Sequence, residues 1–320
     1  MTPDRRKKQA ALLSVFSNTF LVGLKISVGI LIGSVSVLSE AVHSAVDLLA
    51  ALIAWLAVRA SGKPADSTHP FGHGKMENLS GAIEALLIFL AAGWIMYEAL
   101  LKLWDPKPIE DWGLGLGVML LSVILNLFVS RMLFRVAQET DSVALQADAW
   151  HLRTDVYTSA GVMGGLALIG VSEKIFPGRH FDWVDPVAAI GVAVLILRVA
   201  YRLTLQSARD LVDVHFPEME QWIREEVSRQ NLPIHGLHRL RTRKAGSIPF
   251  VDLHVVMDPH LSLEESHGIT DRIVARIRQK FPNAEVVVHA EPCDGRCSRN
   301  CQSGCFLGEE EKRKVQQSLP

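Results

Sequence analysis

Six long apolar stretches constrain this chain more than anything else in it. Each is close to the roughly 20 residues a helix needs to cross a bilayer. They run approximately over 11–33, 36–59, 79–101, 113–133, 143–170 and 184–204. The fourth is the most uniform, LGLGVMLLSVILNLFVS from Leu114 to Ser130. The expected fold class is therefore an α-helical membrane domain with six transmembrane helices. A large soluble helical protein is the alternative, but regular span lengths and short connections would then have to coincide.

The charges at the ends of these stretches are lopsided. Arg5, Arg6, Lys7, Lys8, Arg59, Lys63, Lys75, Arg131 and Arg135 lie on one side of a six-span arrangement, against Lys102, Lys107, Lys174 and Arg179 on the other. Positive residues stay cytoplasmic, so both termini are expected there. The basic run of residues 1–10 precedes a bilayer-length stretch with no clear cleavage site, which reads as an anchored span rather than a cleaved signal.

Composition removes other classes. Apolar residues make up 49%, which excludes disorder throughout. A net charge of −1 gives no basic surface for nucleic acid, and no nucleic-acid partner is expected. All four cysteines fall in one C-terminal tail, so the chain is not a disulfide scaffold.

Charged groups inside a bilayer are costly and usually face a partner or a water-filled cavity. The second span contains SEAVHSAVDLLA, with His43 and Asp47 four residues apart, and the fifth contains ADAWHLRTDVYTS, with His151 and Asp155 at the same spacing. On a helix, i and i+4 share one face. Each span thus presents one imidazole and one carboxylate together. Four nitrogen and oxygen donors suit a tetrahedral zinc ion, and histidine chemistry allows metal to exchange with protons. Interhelical hydrogen bonds or salt bridges are the alternative for each pair taken singly. Asn18, Asn126 and Arg153 read more simply as structural polar groups, with Asp148 or Glu40 as partners for the arginine.

The loop after the second span, ADSTHPFGHGKMEN, offers Asp66, His69 and His73. Gly72 and Gly74 allow a tight backbone around His73, and Pro70 stiffens the turn. A second metal site or a merely polar loop both fit this composition.

From about residue 206 the pattern becomes that of a soluble domain. Glu218–Gln230 and Leu261–Phe281 read as helices, the second with a cap region at Ser262. Leu237–Arg243, Phe250–Met257 and Ala284–His289 read as strands. The order α-β-β-α-β predicts a small α+β domain over 206–292, with helices on one face of the sheet. His238, His254 and His289 fall on the strands, His267 on the helix, and Glu291 just beyond. Asp252 and His254 share a strand face. A metal cluster or ordinary packed histidines are both compatible with this.

The tail over 293–320 places Cys293, Cys297, Cys301 and Cys305 at every fourth residue. Soft ions such as zinc or copper(I) bind thiols, although Gly295 and Gly304 disfavour a continuous helix. The polar residues beyond Leu307 are expected to be flexible.

SEAVHSAVD, HPFGHGKMEN and ADAWHLRTD, in this order and spacing, resemble the cation diffusion facilitator family, specifically its bacterial iron/zinc-efflux type. LHRLRTRKAGSIPFVDLHVVMD resembles the family's cytoplasmic, metallochaperone-like domain. The resemblance spans roughly residues 10–292. It implies a homodimer in the bacterial inner membrane that exports divalent metal from the cytoplasm against inward proton flow. The resemblance therefore implies a secondary transporter with no organic cofactor. It also implies a transport site of His43, Asp47, His151 and Asp155, a loop site of Asp66, His69 and His73, and a cytoplasmic site of His238, His254, His267, His289 and Glu291. Lys75 and Asp213 match a charged pair that interlocks the dimer. Two histidines in the transport set favour Zn2+, with Fe2+, Mn2+ or Cd2+ as competing substrates. A membrane metal sensor is the rival reading. An intramembrane enzyme is less supported, because no nucleophile or substrate signature accompanies His151 and Asp155.

Overall fold

The computed structural model describes residues 2–32, 35–104, 113–175, 183–229, 232–295 and 299–318. The chain divides into two compact units, Met1–Leu211 and Val212–Pro320.

The first unit is entirely helical: α1 (Pro3–Ile32), α2 (Val35–Ser61), α3 (Lys75–Trp104), α4 (Gly113–Thr140), α5 (Val143–Ile175) and α6 (Val184–Leu211). Among the described residues five helices are long and apolar enough to cross a membrane: Pro3–Leu31, Ala41–Ser61, Lys75–Trp104, Gly117–Thr140 and Pro186–Leu211. Of the six apolar spans expected, five are seen among the described residues. The exception is α5, which is long enough at 33 residues. Its described part carries Asp148, His151, Arg153 and Asp155, and the side chains over most of its apolar second half lie outside the described residues.

Packing in this unit is inverted relative to a soluble protein. Small residues are frequent in the interior, among them Ala50, Ala51, Ala54, Ala85, Ala92, Ala144, Ala147 and Ala149, beside large ones such as Ile88, Leu133, Leu145 and Leu152. Large apolar side chains such as Phe16, Phe20, Leu90, Trp94 and Phe128 point outward. Small interfaces let helices approach closely where lipid supplies the apolar surroundings. In this arrangement α3 lies along α6, α1 along α2, α4 along α5, and α2 also touches α5. One polar knot is buried among the helix ends. Glu77 of α3 accepts from Lys7 Nζ at 2.8 Å, Ser61 Oγ at 2.9 Å and Ser142 Oγ at 2.5 Å.

The second unit runs α7 (Pro217–Arg229), β1 (Ile234–Ala245), β2 (Ile248–Met257), α8 (Leu263–Lys280) and β3 (Glu285–Pro292). This is the α-β-β-α-β order read from the sequence. The sheet order is β1-β2-β3, with β1 antiparallel and β3 parallel to β2. Gly246 at φ +59° opens the two-residue turn between β1 and β2, a place where glycine carries no steric cost. The capping box of α8 is formed: Ser262 Oγ accepts from Glu265 N, and the Glu265 carboxylate accepts from Ser262 N. Alternation on β2 buries Val251, Leu253 and Val255 against Ile269, Ile273 and Ile277 of α8 and Ile223 and Val227 of α7. The other face of β2 is left to Asp252 and His254.

The tail over 293–320 carries helical segments among its described residues. It holds α9 (Arg299–Gln302) and α10 (Glu309–Ser318). It also returns to β1, where Gly236 bridges Cys305.

Candidate metal centres

His43 and Asp47 lie one turn apart on α2, and His151 and Asp155 one turn apart on α5. They meet crosswise. His151 Nε2 is 3.1 Å from Asp47 Oδ1, and His43 Nε2 is 3.9 Å from Asp155 Oδ1. That pairing requires the two helices to run in opposite directions here, because ascending α2 matches descending α5. Donor atoms of His43, Asp47 and Asp155 fall within 4.8 Å of one another. His151 joins through Asp47, and its Nδ1 is buried without a hydrogen-bond partner. The His43 side chain is 51% exposed, whereas Asp47 and His151 are 6% exposed. The cluster is therefore open on one side and closed on the other. Two carboxylates and two imidazoles carry the donor types and negative charge that a divalent cation neutralises.

Sequence reasoning missed two neighbours. Glu84 of α3 and Asp148 of α5 are fully buried and close enough to His151 to interact with its charge. The available signal for Asp148 was its position three residues before His151, on the same helix face. Lys25 of α1, also buried, donates to Ser44 Oγ at 2.8 Å, beside His43. Arg153 places its guanidinium 5.5 Å over the Phe134 ring.

The loop before α3 folds around Asp66. Its Oδ1 accepts from Thr68 N at 2.9 Å, Thr68 Oγ1 at 2.7 Å and His69 N at 2.7 Å. The Thr68 hydroxyl and the His69 amide hold the Asp66 carboxyl down at about 2. Gly72 at φ +78° turns the chain so that His73 comes back to Asp66, Nε2 to Oδ2 at 3.5 Å. The two imidazoles stack at 4.2 Å, and Asp66, His69 and His73 converge within 4.8 Å.

In the second unit strand register builds the site. His238 pairs with His254, and His254 pairs with His289, so three imidazoles stand in a row across three strands. A register shift after His238, with Arg239 at φ +48°, marks a bulge in β1. Glu291 closes the row. Its carboxylate lies 3.0 Å from His238 Nε2, 2.6 Å from His254 Nδ1 and 3.5 Å from His289 Nε2. Partial burial raises the Glu291 pKa, but the hydrogen bonds to His254 and His238 outweigh this and hold it below the usual range. His238, His254 and Glu291 converge within 4.8 Å. His267 stands apart on α8, facing Asp271 at 3.5 Å.

The model of the cation efflux transmembrane domain matches residues 11–212, and that of the cation efflux protein cytoplasmic domain matches residues 217–293. The chain belongs to the cation diffusion facilitator family. It is accordingly a multi-spanning membrane transporter and not an enzyme. It is 33% identical to the uncharacterised transporter sll1263 of Synechocystis sp. over 294 residues, covering 91% of this chain and 92% of that one. It is 32% identical to the cation-efflux pump FieF of Salmonella newport, covering 91% and 95%. Among solved structures, the Zn form of CzrB is 31% identical, covering 26% of this chain and 93% of that one, with a TM-score of 0.23. The metal-bound C-terminal domain of the CzcD transporter from Thermotoga maritima is 25% identical, covering 23% and 87%, with a TM-score of 0.22.

Two further residues came from the family resemblance. Lys75 Nζ approaches the Leu211 carbonyl at 3.4 Å, and Asp213 faces Arg243 at 3.6 Å. Of the tail cysteines, Cys293, Cys301 and Cys305 are not in disulfides, and Cys297 lies outside the described residues.

Proposed function

We propose that this cation diffusion facilitator exports Zn2+ from the cytoplasm in exchange for protons, by alternating access around His43, Asp47, His151 and Asp155. The observation that carries the proposal is the crosswise meeting of two His-Asp pairs on oppositely running helices. Such a cluster needs metal or protons to balance two carboxylates in a bilayer. Metal binding requires deprotonated donors, so cation and proton compete for the same atoms. In the inward-facing state the deprotonated set captures Zn2+. Reorientation exposes it outward, protonation of a histidine or carboxylate releases the ion, and the return step carries protons in.

In this reading α5 is the sixth crossing, since its polar residues face α2 and α3 rather than lipid. The protein then resides in the bacterial inner membrane with both termini cytoplasmic. It works as a homodimer. Support comes from the small size of the second unit and from an uncovered sheet surface that leaves Val287 63% exposed. Zn2+ held by His238, His254 and Glu291, with His289 beside them, acts as a resident ion that biases the conformational equilibrium. The loop triad Asp66, His69 and His73 is a further binding point, and Lys75 and Asp213 form the charge interlock.

The test is a metal panel in proteoliposomes, with and without a proton gradient. Zn2+ flux that rises when protons can flow in the opposite direction is expected. Faster flux of Fe2+ or Mn2+ than of Zn2+ would replace the substrate while leaving the site in place. Flux indifferent to the gradient would remove antiport. Metal-dependent capture of a protein partner without any flux would favour the sensor reading.

A further inference from the structure

Cys293, Cys301 and Cys305 take no part in the transport reading, yet the fold brings them to one place. Cys293, Cys301 and Cys305 line a single cavity together with His235, Val256 and Lys312. The free space at its centre is about 10 Å³, enough for one water-sized particle. His235 was not singled out by sequence reasoning. It lies on β1, and its ring Nδ1 is buried without a hydrogen-bond partner.

The chain is built to hold the tail there. Cys293 N donates to Met257 O at 2.9 Å, Leu237 N to Gly304 O at 2.8 Å, and Phe306 N to His235 O at 2.8 Å. Gln316 of α10 reaches back to the Gly295 carbonyl at 3.2 Å. Gly236 and Gly304 permit this close approach. A Cβ at 236 would come within 2.8 Å of the Gly304 carbonyl oxygen, and one at 304 would collide with the Leu237 carbonyl.

We propose that Cys293, Cys301, Cys305 and His235 form a binding site for a soft d10 cation, Zn2+ or Cu+, which fastens the tail to β1. Three thiolates and one imidazole are a tetrahedral zinc donor set, and thiolates equally suit Cu+. Each bound thiol releases its proton to solvent. Lys312 also lines the cavity, with its ammonium donating to Glu309 Oε1 at 2.8 Å. These donors line the cavity more loosely than the three clusters described above, which converge within 4.8 Å. Ion binding therefore draws them inward and is coupled to docking of the tail.

The site stands independently of the transport reading, because the other clusters contain no sulfur. That difference supplies the test. The full chain, purified in detergent with its thiols counted as reduced, is titrated with Co2+. A thiolate-to-metal charge-transfer band in the near ultraviolet is expected at one equivalent. Zn2+ or Cu+ should displace it, each added separately to identify the preferred ion, and should protect the tail from alkylation and proteolysis. The double substitution Cys301→Ser/Cys305→Ser should remove the band while leaving Co2+ bound at the nitrogen–oxygen sites. His235→Ala, which keeps every thiol, should weaken sulfur-site binding on the order of 10–100-fold. Absence of the band in the reduced wild-type chain overturns the proposal, as does a band of full strength in the double variant.

Discussion

Two clusters of imidazole and carboxylate sit in this molecule on different scaffolds. In the membrane unit the donors come from two helices, and packing of α2 against α5 brings His43 near Asp155 and Asp47 near His151. In the second unit His238, His254 and His289 stand on hydrogen-bonded neighbouring strands, and Glu291 joins them. A small sliding or tilting of α2 against α5 changes every distance in the first cluster and breaks no backbone hydrogen bond. The strand row cannot change its spacing without breaking the sheet ladder. The first scaffold suits an ion that must be taken up and let go. The second suits an ion that stays.

The largest effect should follow from breaking the movable cluster. Asp47 is buried and bound to His151, so Asp47→Asn keeps the shape while removing one charge and one strong donor. Zinc flux in proteoliposomes should fall by more than about 100-fold, since even supporting groups around a metal cost 10–100-fold when removed. Normal flux in a well-folded Asp47→Asn protein would end the distinction between the two clusters. Glu291→Gln should act on the fixed row instead. Metal affinity of that site should drop on the order of 10–100-fold, measured by calorimetry, with flux reduced far less than by Asp47→Asn. Equal losses of flux in both variants would mean that the row also carries the transported ion.

The two clusters also differ in how visible they were beforehand. The pairs at 43/47 and 151/155 are local, and helix periodicity alone puts each pair on one face. Only the crosswise match needed the three-dimensional arrangement. The histidine row is non-local: positions 238, 254 and 289 become neighbours through strand register, and a bulge at Arg239 shifts that register in a way no composition rule signals. His267, already read as a helix residue from the sequence, lies on α8 and faces Asp271. The capping box at Ser262 was legible because it spans four residues. Glu84 joins the surroundings of His151 only through packing of α3 on α5, and His235 meets the thiols only because the tail folds back.

A smaller effect separates the units by stability. Ser262→Ala removes the cap of α8, the connection between β2 and β3, and should cost about 1 kcal/mol. A lowered unfolding midpoint of the second unit with unchanged zinc flux at moderate temperature is expected. A matching loss of flux would show that the row must be rigid for transport.

The loop triad is a third scaffold, held by one carboxylate rather than by packing or a ladder, and its pH response should set it apart. Asp66 titrates at about 2 in the folded chain against an ordinary 3.8. Its ionised form therefore favours the folded loop. That contribution is complete above the ordinary carboxylate range and fades as pH falls through about 2. Amide hydrogen exchange at Thr68 and His69, whose N–H groups donate to this carboxylate, should lose its protection between about pH 4 and pH 2. In Asp66→Asn the same amides should exchange faster at neutral pH and show no added loss across that window, with only a modest change in flux. Identical exchange profiles in the two proteins would mean that Asp66 does not organise the loop, and His69 and His73 would then owe their stacking to the turn at Gly72 alone.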